Sequence, residues 1–336
     1  MRRSAYSTRT TTRGRGGTTT RTRGRSTTHR RLGLTAALAA ATAIALSLAG
    51  CSQTSGDPTA HATTGRIDVV ASTNVWGDIA EQIGGDKVSV TSIIDDPNKD
   101  PHEYQASGQN QLAIAHAEVV IVNGGGYDDF VSDMLNAADT KPTVLNAADI
   151  SGYDQNPSSG DFNEHLWYDF PTVDKVADAM EHAFATARPA SSATFRANAT
   201  KFKASVARLT DLEGQLKTQY AGKGAAITEP VPLYMLNAIG LVNKTPAKFS
   251  EAIENDTDVA PSVLQQTLDL FSSHSVALLA YNEQTTGAQT QKVLDAAKSN
   301  GVPVVPVTET LPTGKTYLTW MRANLDAIGA ALQRSR

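Results

Sequence analysis

Short runs of β-branched residues alternate with amphipathic, helix-length segments over most of this chain, and this alternation limits its possible folds more than any other feature. Strands are predicted at residues 67–71, 88–94, 119–122, 225–228, 276–281 and 302–307. Helices are predicted at residues 75–83, 127–138, 262–271, 288–299 and 317–332. Ser262 and Gln265 fit a capping box at the start of one of these helices. Because strands that alternate with helices usually form parallel sheets, we expect an α/β fold.

Two helical stretches, at residues 173–187 and 191–220, separate the two halves of this pattern. The second contains no proline and no glycine before Gly214, so it is predicted to form one long helix. The expected fold therefore has two α/β lobes, each with a mostly parallel sheet flanked by helices, joined by a long rigid α-helix. The predicted limits are 66–188 for the N-terminal lobe, 189–221 for the connecting helix and 222–336 for the C-terminal lobe.

The first fifty residues differ sharply in composition from the rest of the chain. They contain ten arginines, no lysine and no acidic residue, and they end in an uncharged apolar run at residues 32–49. Leu48-Ala49-Gly50-Cys51 matches the lipobox of bacterial lipoprotein precursors. We therefore predict a signal peptide with a basic leader at 1–50, a lipidated Cys51, and a flexible Ser/Thr/Gly-rich tether through residue 65. This would anchor the mature protein on the outer face of the cell membrane, whereas the alternative is an uncleaved anchor helix.

Removal of this leader would leave a strongly acidic protein. The chain has 30 basic and 34 acidic residues, and loss of ten arginines leaves 20 against 34, a net charge of −14. This charge argues against nucleic acid as a partner, because phosphate binding requires clustered Lys and Arg. It is compatible with long-range attraction of cations, although solubility outside the cell would explain it equally well.

Four residues able to bind metal follow predicted strands. His102 lies in a proline-stiffened loop after the strand at 88–94, and His165 lies in Asn163-Glu164-His165-Leu166-Trp167. Glu229 directly follows the strand at 225–228, and Glu309 follows the strand at 302–307. Ligands bind beyond the carboxyl ends of strands in open α/β sheets, so these four side chains could meet in a cleft between the lobes. Two imidazoles and two carboxylates suit a divalent transition metal.

In these motifs the chain resembles the substrate-binding lipoproteins of zinc and manganese ABC importers, the cluster A-I metal-binding family. In that family Asp-Pro-His-x-Tyr supplies the first ligand, which corresponds to His102. The second histidine follows Asp-Pro, where this chain has Asn163-Glu164 before His165. Manganese-type members have Glu at the position of Glu229, and Glu309 replaces the usual Asp. The resemblance implies a monomeric binding protein, not an enzyme, that delivers metal to an ABC permease.

Several alternatives stay open at the level of sequence. Two histidines and two carboxylates serve either Mn²⁺ or Zn²⁺, and the absence of histidine from residues 149–163 favours manganese slightly. Glu283 or Asp100 could replace Glu309 as the fourth ligand. The same fold could serve a surface adhesin, and a metallohydrolase would need an open coordination position beside a general base such as Glu283.

Overall fold

Two four-stranded parallel sheets frame the molecule in the computed structural model, which describes residues 65–96, 104–158 and 160–335. The first sheet contains β1 (Ile67–Thr73), β2 (Val88–Ile94), β3 (Val119–Val122) and β4 (Thr143–Asn146), in the order β2-β1-β3-β4. The second contains β5 (Gly224–Ile227), β6 (Val242–Asn243), β7 (Leu279–Asn282) and β8 (Val304–Val307), in the order β6-β5-β7-β8. In both sheets the strand order reverses beside the first strand, and parallel sheets bind ligands beyond the strand ends at such a point.

Helices cover both sheets, as the crossover connections of parallel strands require. The helices are α1 (Asn74–Gly84), α2 (Gly108–His116), α3 (Asp129–Ala137), α4 (Ala147–Ser151), α5 (Phe170–Ala187), α6 (Ser192–Tyr220), α7 (Leu233–Ala238), α8 (Ala247–Glu254), α9 (Pro261–Ser272), α10 (Ala288–Ser299) and α11 (Tyr317–Arg334). The described part of the chain also contains short 3-10 helices at Gly85–Lys87, Leu166–Tyr168 and Pro189–Ser191. Within those residues, no helix has both the length and the apolar character required to cross a bilayer.

The longest helix, α6, connects the two lobes through 29 residues. Its buried residues recur at intervals of three or four, which places them on one face of the helix. They are Phe195, Ala199, Phe202, Val206, Leu209, Glu213, Leu216 and Tyr220. Seven of these eight are apolar or aromatic, so burial of this face holds the helix against both lobes, and Glu213 is the exception within it.

The C-terminal segment ties the second lobe to the first. The side-chain amide of Asn74, at the start of α1, donates to the Leu311 carbonyl over 3.0 Å and accepts from the Leu311 N–H over 2.8 Å. Asp78 accepts a hydrogen bond from the backbone N–H of Tyr317 at the start of α11, and the Tyr317 hydroxyl donates to the Trp167 carbonyl. Trp167 and Tyr317 also belong to one apolar core that includes residues of both sheets. The lobes therefore share both hydrogen bonds and a core.

The predicted fold class is confirmed, with two parallel sheets and a long connecting helix. Most predicted elements coincide with observed ones to within a few residues, whereas β4, β6, α2, α4, α7 and α8 were not predicted. The capping box at Ser262 and Gln265 is wrong. Pro261 occupies the first turn of α9 and Ala260 is its N-cap, because the φ angle and missing N–H of proline suit the first helical position. The predicted leader and Cys51 lie outside the described residues, as does the tether except Gly65.

Candidate metal centre

Three of the four predicted ligands are brought together, and the fourth, His102, lies outside the described residues. Glu229 follows Thr228 at the carboxyl end of β5, and Glu309 follows Thr308 at the carboxyl end of β8. His165 immediately precedes the 3-10 helix Leu166–Tyr168 in the first lobe. All three side chains are buried, with exposed fractions of 0% for His165, 1% for Glu309 and 3% for Glu229. Side chains from both lobes therefore converge at the strand ends.

Asn282, the last residue of β7, holds the two carboxylates of the second lobe. Its side-chain Nδ2 donates to Glu229 Oε2 over 2.5 Å and to Glu309 Oε1 over 2.8 Å. Its backbone N–H donates to the Thr228 hydroxyl over 2.9 Å, which fixes the end of β7 against β5. One amide group therefore orients both carboxylates. Asn282 directly follows the predicted strand at 276–281, so the rule that ligands gather at strand ends could have found it.

Asn163 orients the imidazole of His165. The Asn163 Oδ1 lies 2.8 Å from His165 Nδ1 and also accepts the His165 backbone N–H over 3.2 Å. With Nδ1 protonated and donating to the amide, Nε2 carries the lone pair that a metal requires. Asn163 also bridges the lobes, since its Nδ2 donates to the Pro230 carbonyl and its own carbonyl accepts from the Tyr234 hydroxyl. The departure from the Asp-Pro-His pattern therefore keeps a hydrogen-bond acceptor for the ring.

The Nε2 atom of His165 faces carboxylates. It lies 3.9 Å from Glu309 Oε2 and 3.5 Å from Glu254 Oε1. The rings of Trp167 and Tyr127 pack around the imidazole, with centroid distances of 5.2 and 6.0 Å. These aromatic rings keep the histidine in an enclosed position with its Nε2 directed at the acidic groups.

Glu309 is held by residues of both lobes. Tyr127 follows β3 in the first lobe, and its hydroxyl donates to Glu309 Oε2 over 3.3 Å. Burial, and then the charge of Glu309, raises the pKa of Tyr127 well above its ordinary value, so its hydroxyl stays a donor. The backbone N–H of Glu309 donates to the side chain of Gln284. The Tyr168 hydroxyl donates to the carbonyl of the preceding Thr308 over 2.9 Å.

Glu254, the last residue of α8, joins this cluster and was not predicted from the sequence. Glu164, His165 and Glu254 each place one potential ligand atom within 4.8 Å of the others. Burial raises the pKa of Glu254 to about 10, and the charges of Glu164, Glu309 and Glu229 add to that increase. Burial also raises the pKa of Glu164, which is hydrogen-bonded to Glu254. A divalent cation would compete with protons here, because carboxylate ligands bind metals in the deprotonated form.

Glu283, the alternative to Glu309, is exposed, whereas Glu309 is buried in the cluster. Its backbone N–H pairs with the Val307 carbonyl, and the alternation of side chains along a strand sends Glu283 away from Asn282. The other alternative, Asp100, lies outside the described residues. The described residues offer one imidazole nitrogen and several carboxylate oxygens as ligands. This set suits a divalent transition metal, because the carboxylates balance the positive charge of the ion.

Comparison with known proteins agrees with this chemistry. Residues 69–331 match the family model of the zinc-uptake complex component A, periplasmic. The chain belongs to this family. It is therefore a metal-binding, substrate-binding protein of the ABC importer class and not an enzyme, as the sequence motifs predicted.

Members of the zinc-uptake component A family and related proteins resemble the chain over most of its length. The manganese-binding lipoprotein MntA of Bacillus subtilis (strain 168) is 25% identical over 276 residues, covering 81% of this chain and 87% of MntA. The crystal structure of ZnuA superposes with a TM-score of 0.66 at 20% identity, covering 79% of this chain and 99% of ZnuA. The Mn-bound periplasmic metal binding protein from Candidatus Liberibacter asiaticus gives a TM-score of 0.64 at 17% identity, covering 80% of this chain and 99% of that protein.

Proposed function

We propose that this protein captures Mn²⁺ or Zn²⁺ in the cleft between its lobes and delivers the ion to the permease of an ABC importer. The proposed ligands are His102, His165, Glu229 and Glu309. The observation that carries this proposal is the convergence of His165 Nε2, from the first lobe, with the buried carboxylates that follow β5 and β8 in the second. Burial of several carboxylates around one imidazole is unfavourable without a cation, and a divalent ion offsets that cost.

Capture and release follow from the chemistry of these side chains. The ion exchanges its water for imidazole and carboxylate ligands, and the surrounding Trp167 and Tyr127 rings exclude bulk solvent from one side. Protonation of the imidazoles weakens binding, because histidine binds metals only when neutral. A permease that contacts both lobes opens the site by separating Glu309 from Tyr127, and the preceding Thr308 from Tyr168.

The proposed location is outside the cytoplasm, with lipid on Cys51 holding the protein at the outer face of the cell membrane. The lipobox Leu48-Ala49-Gly50-Cys51 supports this location. Relatives such as MntA of Bacillus subtilis also bear the name lipoprotein. We expect a monomer that does not bind nucleic acid. An anchored metal binder would remain close to the permease that it supplies.

Manganese is the cargo that we favour. MntA is named a manganese-binding lipoprotein, and the similar solved structure from Candidatus Liberibacter asiaticus is Mn-bound. The described donor set is rich in carboxylate oxygen, which manganese prefers, whereas zinc binds equally well to sites with more nitrogen or sulfur. Adhesion on the same fold stays the alternative function.

The test is a double variant in which both proposed histidine ligands are removed. We expect H102A/H165A to lose high-affinity binding of Mn²⁺ and Zn²⁺ in calorimetry, while its circular dichroism spectrum stays that of the wild type. H182A in α5, a histidine outside the cluster, is the matched control and should bind like the wild type. Unchanged metal affinity in the folded double variant would refute the proposed site.

A further inference from the structure

Glu254 occupies an unusual position for a glutamate. It is the last residue of α8, where the partial negative charge of the helix end disfavours an anion. Its side chain is only 12% exposed, because Phe249 and Ile253 anchor α8 to the second-lobe core. The carboxyl groups of Glu164, Glu309 and Glu229 act on it electrostatically. An ionised Glu254 is therefore unfavourable in this place unless a cation lies against it.

The distance between Glu254 and His165 suits two ligands of a single ion. Glu254 Oε1 lies 3.5 Å from His165 Nε2, the atom that the proposed site directs at the metal. With metal–ligand bonds of about 2.1 Å, atoms that far apart subtend roughly 110° at the ion. The distance of 3.9 Å from the same nitrogen to Glu309 Oε2 is also shorter than twice such a bond. One ion can therefore contact His165, Glu254 and Glu309 without a large rearrangement.

We propose that Glu254 is an additional ligand of this ion and that its carboxylate favours manganese over zinc. The inference rests on the proposed function, since it concerns the same site. Zinc is satisfied by four ligands in a tetrahedron, so His102, His165, Glu229 and Glu309 would complete its coordination. Manganese prefers oxygen ligands and a higher coordination number, so it gains more from a fifth group. Glu254 thus determines which metal the site prefers, and it is not required for the site to bind metal.

A different role for Glu254 has a different consequence. If it only forms a hydrogen bond with His165 Nε2 in the metal-free protein, it competes with the metal for that nitrogen. Removing its charge would then leave the affinity for both metals unchanged or increase it. Ligation predicts the opposite, a loss of affinity that is larger for manganese.

The experiment compares E254Q with E251Q in the full mature protein. Glu251 lies one turn earlier on α8 and is not part of the acidic cluster. Affinities for Mn²⁺ and for Zn²⁺ are measured by competition with a chelator of known affinity. We expect E254Q to weaken Mn²⁺ binding by about tenfold or more and Zn²⁺ binding by about threefold or less, while E251Q changes neither.

Each outcome decides a different point. Unchanged or tighter Mn²⁺ binding by E254Q overturns ligation by Glu254, and equal losses for both metals overturn its role in selectivity. Wild-type protein that binds neither metal overturns the proposed function itself. Should E254Q fail to fold, a crystal structure of the Mn-loaded wild type decides the question. A Glu254 oxygen at about 2.2 Å from the ion supports ligation, and one outside bonding distance overturns it.

Discussion

Side-chain amides control the proposed metal ligands at the scale of single residues. The side-chain oxygen of Asn163 is hydrogen-bonded to His165 Nδ1, and the side-chain N–H groups of Asn282 donate to both Glu229 and Glu309. Neither amide carries a charge, so each orients its neighbours without adding to the repulsion among the carboxylates. Groups of this kind, which hold ligands without touching the metal, commonly change metal affinity by ~10- to 100-fold.

Replacement of Asn163 tests this role. We expect Asn163→Ala to weaken Mn²⁺ and Zn²⁺ binding by about tenfold or more, because the His165 ring loses the acceptor that fixes its tautomer and orientation. Asn163→Asp keeps the oxygen that faces His165 Nδ1 but loses the donor to the Pro230 carbonyl, so it should lose less affinity than the alanine variant. Chelator competition measures both affinities. Equal affinities for the alanine variant and the wild type would show that other contacts orient His165.

At the scale of elements, α6 carries one polar residue in its buried face. Glu213 lies between Leu209 and Leu216 on that face and is 5% exposed. Burial, and then the charge of Asp169, raises the pKa of Glu213 to about 8 from an ordinary value of 4.5. The folded protein therefore retains this proton at pH values where the unfolded chain has lost it. The connecting helix is consequently most stable with Glu213 neutral.

Stability should depend on pH through this group. As pH rises from about 4.5 to about 8 the unfolded chain binds fewer protons than the folded one, so stability falls, and above pH 8 it is constant. Glu213→Gln should match the wild type near pH 4 and exceed it near pH 9, by at most on the order of 5 kcal/mol.

Thermal unfolding of the metal-free protein at both pH values measures this difference. Asp211→Asn, which replaces an exposed acid on the same helix, is the control. A Glu213→Gln variant whose advantage is the same at pH 4 and pH 9 would contradict the assignment.

At the scale of the whole molecule, the segment that carries Glu309 belongs to the second lobe but is held by the first. Tyr168 binds the carbonyl of Thr308, and Asn74 makes two hydrogen bonds with the backbone of Leu311. Glu309 therefore lies between two anchoring points of the other lobe. This arrangement couples the relative position of the lobes to the geometry of the metal site.

Asn74→Ala should affect both stability and metal release. The variant leaves the buried backbone of Leu311 without its side-chain partner, which should lower the free energy of unfolding by about 1–3 kcal/mol. Loss of that anchor should also let Glu309 leave the ion more readily, so metal should dissociate faster. Urea unfolding measures the first effect, and stopped-flow mixing with excess chelator measures the second.

The matched control is Asn300→Ala, which removes a hydrogen bond from Asn300 to the Ala296 carbonyl at the end of α10. Asn300 precedes β8 and so lies away from the carboxyl ends of the strands. This control should lose some stability with no change in the rate of metal release. If metal dissociates from Asn74→Ala at the wild-type rate, the position of the lobes is not coupled to the metal site.

The sequence by itself determined the fold class and part of the site, because both depend on local patterns. The periods of strands and helices are visible in neighbouring residues, and residues after parallel strands meet at one edge of a sheet, as Glu229 and Glu309 do. It did not predict Glu254, since α8 follows only the two-residue strand β6 and its approach to His165 depends on packing between distant segments. The paired contacts of Asn163 and Asn74 across the lobes were equally invisible. Tertiary structure alone decided which polar side chains share the buried space around His165, because contact between residues far apart in sequence leaves no periodic signal.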